Sequence, residues 1–266
     1  MTSMLPPLFM QPEVRLVDLS VPLGESEAES VPVVVEYLPH CCGGAHLAQL
    51  ADIEQQQLEG GLAWASERIQ AITHNSTHID APHHYAPLCQ GRKSRTIDEI
   101  PLDWFWGQGK CLDISDDSEP LSREALLAAE QRAGIRIEAQ DIVLFRTGAE
   151  AFHGAAGFNR RGRGLTGDVV RELTDRGVRL FGTDAWSIDA SYPKMKERSL
   201  ALGPQAVWEA HFVGREREFC AIEKLTNLAT LPAAGFWVAA FPIKVQSGSA
   251  GWSRVVAFVA KPAPLG

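Results

Sequence analysis

Four of the eight histidines of this chain fall within one twelve-residue stretch, from His74 to Tyr85, which also contains Asp80 but no lysine or arginine. A divalent metal site needs neutral imidazoles and anionic oxygens to converge, because the charge of the ion must be compensated inside a cavity. Without an ion, crowded imidazoles would repel one another once protonated. The composition therefore predicts a metal site here, in preference to a group of solvated or core histidines.

The spacing within this stretch places three candidate ligands on one face. His78 and Asp80 are two residues apart, so their side chains share a face on an extended segment but not on a helix. Pro82 disfavours a continuing helix, and the β-branched Ile79 favours a strand. We therefore expect a strand end that turns into a loop, with His74 on the same face if the strand is regular.

A second segment is expected to complete the site, since a bound ion usually collects ligands from more than one part of a chain. The remote candidates are His211, in a predicted helix, and Glu223, an acid with apolar neighbours that needs a partner. Spacing alone leaves this pair open, because a helical histidine and a strand glutamate are commonly structural. From the loop beyond the strand, His84 could reach the same cavity without touching the metal.

The elements that must position these residues are short apolar runs of strand length, which alternate with helical patterns. The apolar runs cover residues 14–21, 111–114, 142–145, 178–181 and 236–241. The helical patterns cover 122–133, with Gly134 as the stop, and 166–176, with Gly177 as the stop. This order predicts an α/β fold with an at least partly parallel sheet. No repeat or low-complexity linker interrupts the chain, so residues 1–266 are predicted to form a single domain.

Composition narrows the classes of partner and compartment. The chain has 25 Lys+Arg against 33 Asp+Glu, a net charge of −8, and no long basic run. That balance disfavours nucleic acid and anionic membrane surfaces as partners. The five cysteines form no C-x-x-C pair and predict reduced thiols in a cytoplasmic protein. There is no signal-peptide pattern, and no apolar run approaches the ~18 residues of a membrane span.

The segment from His74 to His84 resembles the H-x-G-T-H-x-D-x-P-x-H signature of the cyclase-like metal-dependent hydrolases. This family includes bacterial kynurenine formamidase, isatin hydrolase and a metal-dependent trans-dienelactone hydrolase. The segment departs from the signature only at Ser76, where the family has glycine. Residues 17–20, 182–184 and 241–251 also resemble family segments, and His211 and Glu223 have the twelve-residue separation of the family's second ligand pair.

The resemblance implies a site with one or two divalent ions and a base beside them. The implied ligands are His74, His78, Asp80, His211 and Glu223. Asp80 is a candidate bridge, and His84 is implied to act in proton transfer instead of ligation. Zinc (Zn2+) is expected in formamidases and manganese (Mn2+) in isatin hydrolases, and this ligand set fits either ion. The implied fold is a swivelling β/α/β-type single domain with a mixed sheet or barrel, which assembles as a homo-oligomer, either a dimer or a tetramer.

The predicted reaction is hydrolysis of a small-molecule amide, lactam or lactone. The metal would lower the pKa of its bound water from about 15.7 toward 7, and the resulting hydroxide would attack the carbonyl. His84 would transfer the proton to the leaving group. Asp184 could orient a ligand imidazole, although its position favours capping of backbone amides. Trp64 and Trp186 are candidate pocket residues, with a place in the core as the alternative.

Two functions other than hydrolysis stay open, whereas serine catalysis, nucleotide cofactors and one substrate class are disfavoured. A lyase or cyclase would use the ion to polarise a carbonyl while His84 moves a proton without adding water. A non-catalytic metal-binding module is the third possibility. Residues 247–251 lack the first glycine of a serine nucleophile elbow, and the chain has no phosphate-binding or dinucleotide-binding glycine loop, so serine catalysis and nucleotide cofactors are disfavoured. Residues 24–30 contain no aromatic residue, which disfavours an aromatic formamide as substrate.

Overall fold

A mixed sheet of nine strands organises the chain in the computed structural model, which describes residues 14–29 and 31–260. Its strands, in chain order, are β1 Val14–Asp18, β4 His78–Asp80, β7 Trp106–Asp113, β8 Ile142–Arg146, β9 Leu180–Thr183, β10 Cys220–Glu223, β11 Phe236–Ala239, β12 Ala250–Trp252 and β13 Val256–Ala260. Two ribbons lie beside the sheet: β2 Val34–Leu38 with β3 Ser66–Gln70, and β5 Leu88–Cys89 with β6 Arg92–Lys93. The helices are α1 His40–Ala51, α2 Pro82–Tyr85, α3 Arg123–Ala133, α4 Gly167–Asp175, α5 Tyr192–Leu202 and α6 Glu209–Phe212.

The spatial order of the sheet is β1-β13-β11-β7-β8-β9-β10-β4-β12, and it curls into a half-barrel. Strands β7, β8, β9 and β10 are parallel to one another, and the strands on both flanks are antiparallel. Parallel neighbours need crossover connections, which α3 supplies between β7 and β8, and α4 between β8 and β9. The α/β prediction with a partly parallel sheet is therefore confirmed.

The central strands are buried on both faces, which explains their continuous apolar runs. One core cluster contains Leu144, Leu180 and Ile222 together with residues of the antiparallel flank. The other contains Val143 and Phe181 packed under α3 and α4. Each side of the sheet thus has its own core.

The two predicted helices begin and end close to the predicted residues. Ser122 accepts a hydrogen bond from the Ala125 amide at 3.2 Å, and Gly134 ends α3 in the left-handed conformation with φ 63°. Thr166 stands at the start of α4, but its hydroxyl donates to the Leu121 carbonyl at 3.0 Å and caps no amide of the helix. In the portion of the chain that is described, no helix is long and apolar enough to cross a bilayer.

Candidate metal centre

The pairing of β4 with β10 brings the two predicted ligand segments together. These strands are antiparallel, with His78 opposite Glu223 and Ala221 opposite Asp80. Side chains two residues apart share a face of a strand, so His78 and Asp80 both point to the side where Glu223 lies. His78 Nε2 is 3.3 Å from Asp80 Oδ1 and 3.7 Å from Glu223 Oε2. All three residues are buried.

His74 reaches the same point from a turn and not from the strand. The expectation of a regular strand through His74 is wrong, because Ser76 adopts a left-handed backbone with φ 52° and turns the chain. The Ser76 amide donates to Glu29 Oε1 at 2.6 Å, and its hydroxyl donates to the Pro22 carbonyl at 3.0 Å. This turn brings His74 Nδ1 to 2.8 Å from Asp80 Oδ1, while His74 Nε2 lies 3.0 Å from the Ser249 hydroxyl.

His211 enters from α6 on the other side of Asp80. Its Nε2 lies 3.6 Å from Asp80 Oδ2 and 3.6 Å from Glu223 Oε1. Its Nδ1 bonds at 2.5 Å to Asp189, whose carboxylate also accepts from the amides of Ala210 at 2.9 Å and His211 at 3.2 Å. These three bonds fix both the ring and the helix end that carries it, a common arrangement around metal-ligating histidines.

Three buried atoms at the centre of the site, His78 Nε2 and the two carboxylate oxygens of Asp80, are suited to bind a cation. The Nδ1 atom of His78 bonds to the Ser76 carbonyl at 2.8 Å, so its Nε2 can present a lone pair. That Nε2 and both oxygens of Asp80 are buried and make no hydrogen bond, because His74 Nδ1, although 2.8 Å from Oδ1, is not aligned for one. A buried carboxylate without compensation is costly, and a metal ion compensates it. The donor set therefore fits a divalent ion.

The donors form two groups that share Asp80. One contains His74, His78 and Asp80, and the other contains Asp80, His84 and His211, each with its ligand atoms within 4.8 Å of one another. Asp80 Oδ1 faces the first group and Oδ2 faces the second. Each carboxylate oxygen thus has its own set of nitrogen neighbours, the arrangement that a bridging carboxylate requires.

Burial and neighbouring charge push the pKa values of the site in opposite directions. Burial alone would raise the pKa of Asp80, but the surrounding imidazoles outweigh it and lower that pKa well below its usual range. Burial and the charge of Asp80 raise the pKa of Glu223. Burial would also lower the pKa of His211, but its hydrogen bond to Asp189 and the neighbouring carboxylates of Asp80 and Glu223 raise it to about 10. Burial lowers the pKa of His84 to about 4, so this imidazole is neutral at pH 7.

An aromatic cavity of about 820 Å³ opens beside these residues. Its lining includes His74, His84, His211 and Glu223 and, of the two predicted tryptophans, Trp186. His84 is half-buried in the wall, with Nε2 3.9 Å from Asp80 Oδ2 and its ring centroid 4.1 Å from that of His74. Residues 24–30 contain no aromatic side chain, but other segments give the cavity an aromatic lining, through Trp186, Trp208 and Phe212.

Two of the predicted pocket or supporting residues, Trp64 and Asp184, lie away from the metal donors in the structure. Trp64 lies in the segment between α1 and β3, is 44% exposed and contacts the ring of His46, so it lines neither the cavity nor the core. Asp184 is buried, but it bonds to the Thr147 hydroxyl and to backbone amides of Thr147, Gly148 and Glu150. It therefore has the capping role, and the carboxylate that orients an imidazole is Asp189.

Two residues of the site were missed from the sequence. Trp208 stacks on His211 with ring centroids 4.5 Å apart and an interplanar angle of 11°. Its spacing, three residues before a helical histidine, was a signal that could have pointed to it. Asp189 had no such signal, because its contact with His211 spans 22 residues and depends on the fold.

Comparison with known proteins agrees with the geometry. Residues 17–190 match the model of the Cyclase family, described as "Putative cyclase". The chain belongs to this cyclase family. It is 26% identical over 191 residues to the kynurenine formamidase of Salinibacter ruber, covering 71% of this chain and 77% of that protein. It is 27% identical over 200 residues to the isatin hydrolase of Roseibium aggregatum, covering 71% and 72% of the two chains.

The similarity extends to solved structures of the cyclase family's fold. The structure of isatin hydrolase A from Ralstonia solanacearum superposes with a TM-score of 0.75 at 26% identity. The match covers 97% of this chain and 98% of that one. The predicted membership in the cyclase-like hydrolases is confirmed, and the sheet that carries His78, Asp80 and Glu223 lies within the shared fold.

Proposed function

We propose that this cyclase-family protein is a metal-dependent hydrolase of small amides, including lactams, with lactones as a related substrate class. The observation that carries the proposal is the set of buried atoms without a hydrogen bond on His78 and Asp80. These atoms lie next to His74, His211 and Glu223, which line an open cavity. Its relatives are named as hydrolases of this kind, a formamidase and isatin hydrolases. A cavity of about 820 Å³ is in the usual size range of small-molecule sites, so the proposed partner is a small substrate.

The ion would be held by nitrogen and oxygen donors from both ligand segments. The residues that would hold it are His74, His78, Asp80, His211 and Glu223. A divalent ion in such a site supplies an activated water and polarises the substrate carbonyl. Imidazoles with carboxylates suit Zn²⁺ or Mn²⁺, and the two faces of Asp80 accommodate either one ion or two.

His84 is the proposed proton carrier. It is neutral at pH 7, lies in the cavity wall and has Nε2 3.9 Å from Asp80 Oδ2. From that position its Nε2 can accept a proton at the metal side of the cavity and donate it to the departing nitrogen or oxygen. The ring contact with Trp208, at a centroid distance of 5.5 Å, limits the orientations that the imidazole can adopt.

The direct test is hydrolysis before and after metal removal. We expect the purified protein to hydrolyse at least one member of a panel of N-formyl arylamines, isatin, dienelactones and cyclic imides. Dialysis against a chelator should abolish the activity, and Zn²⁺ or Mn²⁺ should restore it. Elemental analysis of the same samples gives the ion and its ratio to protein. Turnover that survives complete metal removal would refute the proposal.

A further inference from the structure

One face of α5 forms part of the wall of the cavity. Tyr192, Met195, Lys196 and Ser199 line the cavity, and their spacing of three, four and seven residues from Tyr192 puts them on one helix face. Apolar and aromatic side chains complete the wall. They are Ile72, Trp186, Val207, Trp208 and Phe212. Such a lining favours a ligand with an apolar or aromatic body.

Two lysines line this cavity, and one of them is already neutralised. Lys224 is buried, with Nζ 2.8 Å from Glu29 Oε2, and it donates to the His74 carbonyl at 2.8 Å. Its ammonium also lies 3.8 Å from the ring centroid of Trp186. These partners satisfy the charge of Lys224, so it has little capacity left for a ligand.

Lys196 differs from the other cations of its helix. Lys194 pairs with Glu119 and Glu197, and Arg198 pairs with Glu209. The exposed ammonium of Lys196 has neither an ion pair nor a hydrogen bond within residues 14–29 and 31–260, although the chain as a whole is acidic. The unpaired cation of α5 is thus the one that lines the cavity.

Tyr192 adds a second donor beside it. It lies four residues before Lys196 on the same face, and its hydroxyl likewise has no partner in the described part of the chain. One ammonium and one phenol hydroxyl match the two oxygens of a carboxylate. A phosphate dianion usually collects more positive charge than this wall offers.

We propose that the substrate carries a carboxylate separate from its scissile carbonyl, and that Lys196 recognises it with the help of Tyr192. This inference rests on the proposed function and specifies its substrate class as anionic amides or lactams with an apolar or aromatic body. The side chains of Lys196 and Tyr192 are both exposed, Tyr192 by 60%. An exposed ammonium–carboxylate pair together with one neutral hydrogen bond should improve binding by at most about tenfold.

The test uses the full chain loaded with metal and matched pairs of compounds. The carboxylates are 4-formamidobenzoate, 4-formamidophenylacetate and 3-(4-formamidophenyl)propanoate, and each is compared with its neutral primary amide. KM and kcat are measured from arylamine release for the unmodified protein and for Lys196→Met. Lys194→Met is the control, because it removes a lysine of the same helix that does not line the cavity. Binding of the corresponding aminophenyl carboxylates and amides is measured by calorimetry on the same proteins.

We expect at least one carboxylate to bind up to about tenfold more tightly than its amide, with the difference in KM and little change in kcat. Lys196→Met should abolish this preference, and Lys194→Met should keep it. Equal binding of every pair, or a preference that survives Lys196→Met, would overturn the inference. The second outcome also identifies a carboxylate that binds the ion itself. A Lys196-dependent preference in calorimetry supports the carboxylate site even if the formamides are not hydrolysed, whereas a lack of turnover across the whole panel of amides, lactams and lactones would refute the proposed hydrolysis.

Discussion

Asp189→Asn is the substitution that best isolates the support of the metal centre. Asp189 Oδ1 accepts from the Ala210 amide, and Oδ2 accepts from the amide and the ring Nδ1 of His211. Asparagine has the same shape but replaces one of these acceptors by an NH₂ group. If the NH₂ group faces His211, it opposes an amide donor and forces the proton of the imidazole onto Nε2, the atom that points to Asp80. If it faces Ala210, it leaves that buried amide unpaired.

The expected magnitude follows from either arrangement. Loss of the group that orients a ligand imidazole typically weakens metal affinity by about 10- to 100-fold. The unpaired or opposed amide should in addition lower the free energy of unfolding of the metal-free protein by about 1–3 kcal/mol. The two effects are measured separately, the first by competition with a chromogenic chelator and the second by urea unfolding in the presence of a strong chelator.

Asp184→Asn is the matched control. Asp184 is equally buried and accepts four hydrogen bonds from residues 147–150, none of them from an imidazole. Asp184→Asn should also lower the free energy of unfolding by about 1–3 kcal/mol, but it should leave the metal affinity of the folded protein unchanged. The reasoning fails if Asp189→Asn binds metal within about twofold of the unmodified protein, or if Asp184→Asn weakens metal binding as much.

Four further predictions concern the reaction, the turn and the assembly. His84→Ala should keep its metal but lose about 10²- to 10⁴-fold in kcat, and full activity with normal metal content would exclude proton transfer by His84. Hydrolysis in ¹⁸O-water should label the product carboxylate, whereas a lyase would leave it unlabelled. Ser76→Gly should change the free energy of unfolding little, because relief of about 1 kcal/mol of backbone strain offsets the lost hydrogen bond to Pro22. Ser76→Ala loses the same hydrogen bond but keeps the strain, so it should lower the free energy of unfolding by about 1 kcal/mol. Equal losses in the two variants would contradict this. Sedimentation should show a dimer or tetramer, and a lone monomer would remove the assembly inferred from the family resemblance.

The part of the site that lies on one short segment could be predicted from the sequence. Alternation places His78 and Asp80 on one face of any strand. The loop expected after this strand is instead the short helix α2, which Pro82 begins and which carries His84. The pair His211 and Glu223 came from the family's spacing, because the residues alone did not distinguish these two from structural ones.

Residues whose roles depend on the tertiary fold could not be predicted in this way. Asp184 and Asp189 lie five residues apart in similar apolar company, yet only Asp189 meets an imidazole, because α6 packs against it. The turn at His74 escaped prediction for a related reason. A left-handed serine is uncommon, and the hydrogen bonds that hold it come from Pro22 and Glu29, more than 40 residues earlier.

The position of β4 in the sheet also sets the order in which the protein can mature. This strand lies between β10 and β12, and the hydroxyl that holds His74 belongs to Ser249, 175 residues later in the chain. During synthesis the early histidines emerge long before the strands that enclose them, and contacts over such distances form slowly. We therefore expect a chain arrested before residue 249 to hold all five proposed ligands but to lack the Ser249 hydroxyl that holds His74 and the strand β12 that covers β4.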